Sequence, residues 1–321
     1  MTKPNATLSP RRHAHGHSRL ARMQQAIVVA ILLAGLAWAG WWLDAGGLWW
    51  MGGWVLIIAG YGTVLGLEWW IVAVVHKDDP APKPSISESL RAWWQEFHVA
   101  PRVFMFRQPF MWRSYPDTTA REKLPGAPVV FVHGFVCNRG FWLPWMKRLC
   151  RRGVPYTSVN LEPVFGNIDD YVVLIEEAVQ RAEVQGTRPP MLVCHSMGGL
   201  AVRAWLASSP DNMSRASRIV TIGTPHRGTW LGQWSISPNG QQMREGSEWQ
   251  RQLSQREREQ RGAQPYAYFT CWYANTDNIV FPASTGSLPG ADNRLLRGYA
   301  HVGMCFEPVV IEETLAMREA A

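Results

Sequence analysis

Residues 26–43 read AIVVAILLAGLAWAGWWL and residues 48–67 read LWWMGGWVLIIAGYGTVLGL. Two uncharged stretches, each close to the roughly 20 residues that cross a bilayer as a helix, stand side by side with only DAGG between them. They predict a transmembrane helical hairpin over residues 26–75. The connector has no Lys or Arg, whereas Lys3, Arg11, Arg12, Arg19 and Arg22 precede the first stretch and Lys77, Lys83 and Arg91 follow the second. The positive-inside bias then puts both ends in the cytoplasm, at the inner (cytoplasmic) membrane of a bacterial-type cell. Trp41, Trp42, Trp49, Trp50, Trp69 and Trp70 fall near the ends of the stretches, where an indole favours the headgroup layer, and Glu68 stands at such an edge too. A cleaved signal peptide is the alternative for the first stretch, given Ala37-Trp38-Ala39 and the basic residues before it. The second stretch would still anchor the product.

A chain of 321 residues with 47% hydrophobic residues has room for one large domain or two ordinary ones beyond the hairpin. The five cysteines, at 137, 150, 194, 271 and 305, have no CxxC or metal-ligand spacing and fit a reducing compartment. The net charge of +7 is spread out, with no dense basic block among aromatic residues in the soluble part, which argues against a nucleic-acid partner. Basic residues beside the membrane fit anionic lipid headgroups instead. The HAHGH motif at 13–17 reads as part of a disordered basic tail over 1–25 rather than as a metal site.

DDPAPK, at 78–83, reads as a linker, and residues 76–124 as a connecting segment, with the membrane surface as one place for it. From there the pattern changes. PVVFV (128–132), TSVNL (157–161), MLVCH (191–195), RIVTIG (218–223) and YFTCWYA (268–274) read as strands, and DDYVVLIEEAVQRAEVQG (169–186) has helical spacing. This alternation predicts an α/β domain over 125–321, a mostly parallel sheet with helices on both faces. The polar interval at about 229–264, carrying Trp230, Trp234 and Trp249, is expected to be a cap over a site; a plain surface excursion is the alternative.

Ser196 follows an apolar strand and precedes Met197-Gly198-Gly199, the strand-to-helix context of a nucleophile elbow. The flanking positions must be small where the chain folds back; Gly198 is small, and Cys194 replaces the usual first glycine. A helix N-cap is the plainer role for such a serine. A nucleophilic serine needs a base, and the base a carboxylate, which in this fold follow in the order Ser, Asp, His. Asp277, in YANTDNIVFP, and His301, in RGYAHVGMCFEP, meet that order at strand ends, with Asp292 as the fallback acid. None of His76, His98, His133, His195 and His226 follows Asp277. Acyl transfer also needs two N–H donors for the oxyanion. Gly134, after His133, lets the N–H of Phe135 face the site, and the N–H of Met197 lies at the positive end of the next helix.

HGF (133–135), HSMGG (195–199), GTPHRGT (223–229), TDNIVFP (276–282) and the late His301 together resemble the bacterial lipase and esterase branch of the α/β-hydrolase superfamily. NLEPVFGNIDDY (160–171) is similar to the loop that bacterial triacylglycerol lipases place after their second conserved strand. The resemblance implies an α/β-hydrolase fold with a Ser196–His301–Asp277 triad, Phe135 and Met197 as oxyanion donors, His226 as a structural or pocket-edge residue, an acyl ester substrate, and no metal or organic cofactor. Such a chain would be a membrane-anchored serine ester hydrolase acting on lipid esters. The same triad serves an acyltransferase or thioesterase, and a non-catalytic membrane scaffold is the alternative of another class.

Overall fold

The computed structural model of the chain describes residues 18–45, 47–75, 78–119 and 122–320, so the HAHGH motif lies outside it. Two long helices come first, α1 (Arg19–Trp42) and α2 (Gly52–Val75). Both are long and apolar enough to cross a membrane and are candidate spans. Ile27, Leu33, Leu36, Val55, Leu56 and Ile58 project from them uncovered by protein. Helix starts at Arg19, capped by Ser18 Oγ, which accepts the N–H of Ala21 at 3.2 Å. The tail read over 1–25 is therefore helical from residue 19, and its first turn is docked: Leu20, Ala21 and Gln24 are buried.

The segment 76–124 is far more ordered than the linker expected. A capping box at Ser85 and Glu88 opens α3 (Ile86–Pro101), a π-helical turn (Arg102–Arg107) follows, and α4 (Gln108–Phe110) ends it. The buried stripe of α3 is Ala92, Glu96 and Ala100, while Ile86 and Leu90 are 81% and 62% exposed. An apolar count misses such a helix because its inward face is polar at the centre. α4 seats the start of α1, with Gln24 Nε2 donating to Gln108 Oε1 at 3.3 Å.

Beyond this lies one parallel sheet of β1 (Val129–Val132), β2 (Tyr156–Ser158), β3 (Met191–His195), β4 (Arg218–Ile222), β5 (Phe269–Ala274) and β6 (Asp292–Leu296), in the order β2-β1-β3-β4-β5-β6. The α/β class is as the sequence implies, and β1 to β5 fall on the predicted runs; β6 does not, because DNRLL is a polar edge strand. The inner strands are buried on both faces, as parallel strands between helix layers must be. Val130, Val132, Leu192 and Cys194 join a core with α6 (Val172–Glu183) and α7 (Met197–Ser208). Val129, Phe131, Met191 and Val193 face Trp142, Trp145 and Leu149 of the turn and α5 (Leu143–Arg151), and Val310 and Leu315 of α10 (Pro308–Ala320).

The interval 229–264 divides in two. The turn Trp230–Trp234 and α8 (Pro238–Gln242) bridge the carboxyl edge of the sheet: Trp230 N–H donates to Phe281 C=O and Asn239 Nδ2 to Val164 C=O, both at 2.8 Å. The second part, α9 (Glu248–Arg261), is the crossover helix between β4 and β5. It packs on α7 through the buried pair Arg203–Glu257, 2.7 Å apart.

Candidate active site

Strand β3 delivers Ser196 to the carboxyl edge, where the N–H of Ser196 donates to Ile222 C=O of β4 at 2.9 Å. The serine backbone sits at φ 53°, ψ −131°, outside the regions that L-residues favour. α7 starts at the next residue, so Ser196 is also the N-cap position, but its hydroxyl caps no N–H. The sharp turn presses α7 against β1. A Cβ on Gly198 would stand 2.5 Å from the carbonyl oxygen of His133 and 2.6 Å from that of Val132, and neither backbone can yield. Gly198→Ala is therefore expected to cost about 1–3 kcal/mol through overpacking. Thermal unfolding of the purified variant in detergent checks it; an unchanged midpoint would mean that helix and strand slide apart freely. Cys194, at the other small position, is wholly buried in the core, with its thiol pushed up by burial.

Asp277 and His301 meet as a buried pair, Oδ2 to Nδ1 at 2.9 Å. The other carboxylate oxygen accepts the N–H groups of Ile279 and Val280 at 2.9 and 2.8 Å, so both oxygens of Asp277 are committed. Burial alone would pull His301 down, but Asp277, then Glu96 and Glu68, outweigh it and leave the imidazole above its ordinary value. Gly223 ties this pair to the serine. It follows Ile222, the partner of Ser196, and a Cβ there would be 3.1 Å from His301 Nδ1 and 3.3 Å from Asp277 Oδ2. Among the described residues no hydrogen bond joins Ser196 Oγ to the imidazole. Asp292 is exposed at the start of β6 and pairs with Arg294 at 2.8 Å, which removes it from the site.

His133 fixes the loop after β1. Its Nε2 accepts the N–H of Leu161 at 3.1 Å and its Nδ1 donates to Gly134 C=O at 3.0 Å; burial holds it neutral, pushed down to about 4. Gly134 lies against the serine, where an added Cβ would be 2.7 Å from Ser196 Cβ. Among the described residues the N–H groups of Phe135 and Met197 donate to no protein acceptor. His195 stacks on Phe141 and lies tilted against His301, ring centroids 4.3 and 4.6 Å away, and burial followed by the neighbouring His301 lowers it well below its ordinary value. His226 is not beside the pair: its Nε2 meets Thr221 Oγ1 at 2.9 Å inside the core, under Arg203. Two further side chains reach the site. Asn278 Oδ1 accepts the N–H of His301 at 3.2 Å, and the Glu96 carboxylate, pushed up to about 7 by burial, reaches the next turn. No spacing in the sequence singles out Glu96, which α3 buries between Ala92 and Ala100.

Ser196 and His301 are 6% and 4% exposed. Two shallow clefts open on the surface, one at Asp169 and Trp249 and one at Ser18 and Trp112, and neither contains the serine. The side chains of Ser196 and His301 are therefore largely covered by protein.

The model of the alpha/beta hydrolase family, Abhydrolase_6, matches residues 129–312. This chain belongs to the α/β-hydrolase family. Among solved structures the chain is similar to the mature form of Bacillus licheniformis lipase BlEst2, at 15% identity and TM-score 0.53 over 63% of this chain and 95% of that one. It is likewise similar to Aspergillus fumigatus lipase B, at 16% identity and TM-score 0.51 over 92% and 80% of the two chains. At these identities the likeness describes the fold alone. No curated protein sequence matches. Phe135, Ser196, Asp277 and His301 all lie inside the segment that matches the α/β-hydrolase family, whereas Glu68 and Glu96 precede it.

Proposed function

We propose that this chain is a membrane-anchored serine hydrolase that cleaves carboxylic esters, with lipid acyl esters at the bilayer as its substrates. One observation carries the reading: a buried Asp277–His301 pair, 2.9 Å apart, beside a serine held at φ 53° on the elbow of an α/β-hydrolase sheet. Asp277 accepts from Nδ1–H, which leaves Nε2 of His301 free to take the Ser196 proton as Oγ attacks the ester carbonyl. The oxyanion then lies toward the two uncommitted N–H groups of Phe135 and Met197, the second at the positive end of α7. Its collapse breaks the ester C–O bond, His301 returns the proton to the leaving alkoxide, and water releases the acyl group by the same steps in reverse.

The lipid part of the reading rests on the surface around the site. The uncovered apolar faces of α1 and α2 need a bilayer around them, and Leu90 and Trp94 of α3, 62% and 60% exposed, continue that surface at headgroup level. Trp234 and Ile236, on the bridge across the carboxyl edge of the sheet, are 72% and 93% exposed. Docking of the first turn of α1 favours a retained helix over a cleaved signal peptide. A fluorophosphonate probe applied to the detergent-solubilised protein tests the chemistry. Labelling of the wild type that disappears in Ser196→Ala is expected; labelling that persists would name another nucleophile. An ester series separates the substrate classes, since turnover far faster on short soluble esters than on vesicle-borne lipid would end the lipid assignment.

A further inference from the structure

Each residue flanking Asp277 and His301 is held by a side chain from the N-terminal helices. Trp69 Nε1, near the end of α2, donates to Thr276 C=O at 3.2 Å, and Glu68 Oε2 accepts from Asn278 Nδ2 at 2.7 Å. From α3, Gln95 Oε1 accepts the N–H of Ala300 at 3.0 Å, and the two oxygens of Glu96 accept those of Val302 and Gly303 at 3.4 and 3.2 Å. Asn278 completes a relay, because its Oδ1 takes the N–H of His301 itself. Leu65, Trp69, Ala92 and Ala300 seal the joint with an apolar cluster.

A joint that served only to tether would need the apolar cluster alone. Taking carboxylates out of water costs several kcal/mol per ion unless hydrogen bonds compensate, so two of them at this joint call for a role beyond adhesion. We propose that Glu68 and Glu96 are positioning residues for the His301 imidazole, so that α2 and α3 complete the hydrolase site. The inference rests on the serine-hydrolase reading above. Four charged or titratable groups face the imidazole: Asp277 after β5, Glu68 from α2, Glu96 from α3, and His195 from β3, which burial keeps neutral. The Cys305 thiol behind it, pushed far up by burial, is neutral as well.

The sign of the effect follows from these charges. Negative charge at 68 and 96 favours the imidazolium, in full for Glu96 only above about pH 7, where it ionises despite its burial, so His301 binds its proton at higher pH than Asp277 alone would set. Removing one charge lets the imidazole lose its proton at lower pH, and the acidic limb of kcat/KM moves down.

The test uses the full chain in lipid nanodiscs, 4-nitrophenyl butyrate as substrate, and fluorophosphonate labelling alongside. Glu96→Gln, whose amide oxygen keeps one of the two N–H groups, is expected to shift the acidic limb down by roughly half a pH unit, because Glu96 itself is ionised only in part near pH 7. Glu68→Ala is expected to lower kcat by about 100-fold with KM little changed, as a small displacement of the base does. Glu68→Gln keeps an acceptor for Asn278 and is expected to restore most of that loss. A lower rate in Glu96→Gln with an unmoved limb, or wild-type kcat in Glu68→Ala, would overturn the positioning role. Should Glu96→Gln fail to fold, the two Glu68 variants decide alone. A folded wild type that takes no probe would instead overturn the serine-hydrolase reading, which keeps the two failures distinct.

Discussion

Ser196→Ala is expected to lower kcat on an activated ester by about 10⁶-fold, and His301→Ala by a similar factor, because nucleophile and base act as one unit. The double variant should then be no slower than either single one. Asp277→Asn is expected to lose about 10⁴-fold, and the geometry says why an isosteric change does so much. The oxygen near Ile279 and Val280 receives two N–H donors, 2.9 and 2.8 Å away, so the amide oxygen of an asparagine must take that place. Its NH2 then points at His301 Nδ1 and donates to it, forcing the proton of a neutral imidazole onto Nε2. That nitrogen can no longer accept from the serine. Single-turnover kinetics with a thermal-unfolding control read the effect. Near-wild-type kcat in Asp277→Asn, or multiplicative losses in the double variant, would mean that these three residues do not work as a triad.

Much of this site is written locally in the chain. The elbow is legible because an apolar strand, a lone serine and two small residues follow one another over 191–199, and the turn needs that order. Asp277 and His301 are legible by their order after the serine and their place at strand ends. The fold core reads equally well, since β-branched runs buried on both faces leave little choice but a parallel sheet. The clamp from Glu68 and Glu96 is not legible. Glu68 and Asn278 are 210 positions apart in sequence, and no spacing rule links them. α3 hides for a different reason: its apolar residues Ile86, Leu90 and Trp94 point outward and its buried stripe is centred on a glutamate. β6 hides because an edge strand needs few apolar residues. Periodicity finds elements that bury apolar faces; it passes over those that bury charge.

The same inversion in α9 gives the largest expected effect on stability. Its buried residues are Gln250, Leu253 and Glu257, in a helix that is otherwise strongly polar. Glu257 is wholly buried and takes a bidentate pair from Arg203, Nε to Oε1 at 3.0 Å and Nη2 to Oε2 at 2.7 Å, plus the Tyr266 hydroxyl at 2.6 Å. Arg203 also donates to His226 C=O at 2.8 Å, so one guanidinium joins α7, α9 and the GTPHRGT segment. Glu257→Ala leaves that guanidinium buried without its counter-charge, at an expected cost of about 3–5 kcal/mol. For a domain of this size the thermal midpoint should fall by roughly 10 °C. Replacing the group together, with Arg203→Met, Glu257→Leu and Tyr266→Phe, should recover much of the loss, because the wholly buried guanidinium goes with its partner and similar volume is kept; the share that remains belongs to Arg261, 3.8 Å from Glu257. Chemical unfolding of the single and triple variants in detergent measures both. A triple variant no more stable than Glu257→Ala would mean that α9 is held by the geometry of these hydrogen bonds rather than by the avoidance of an unpaired charge.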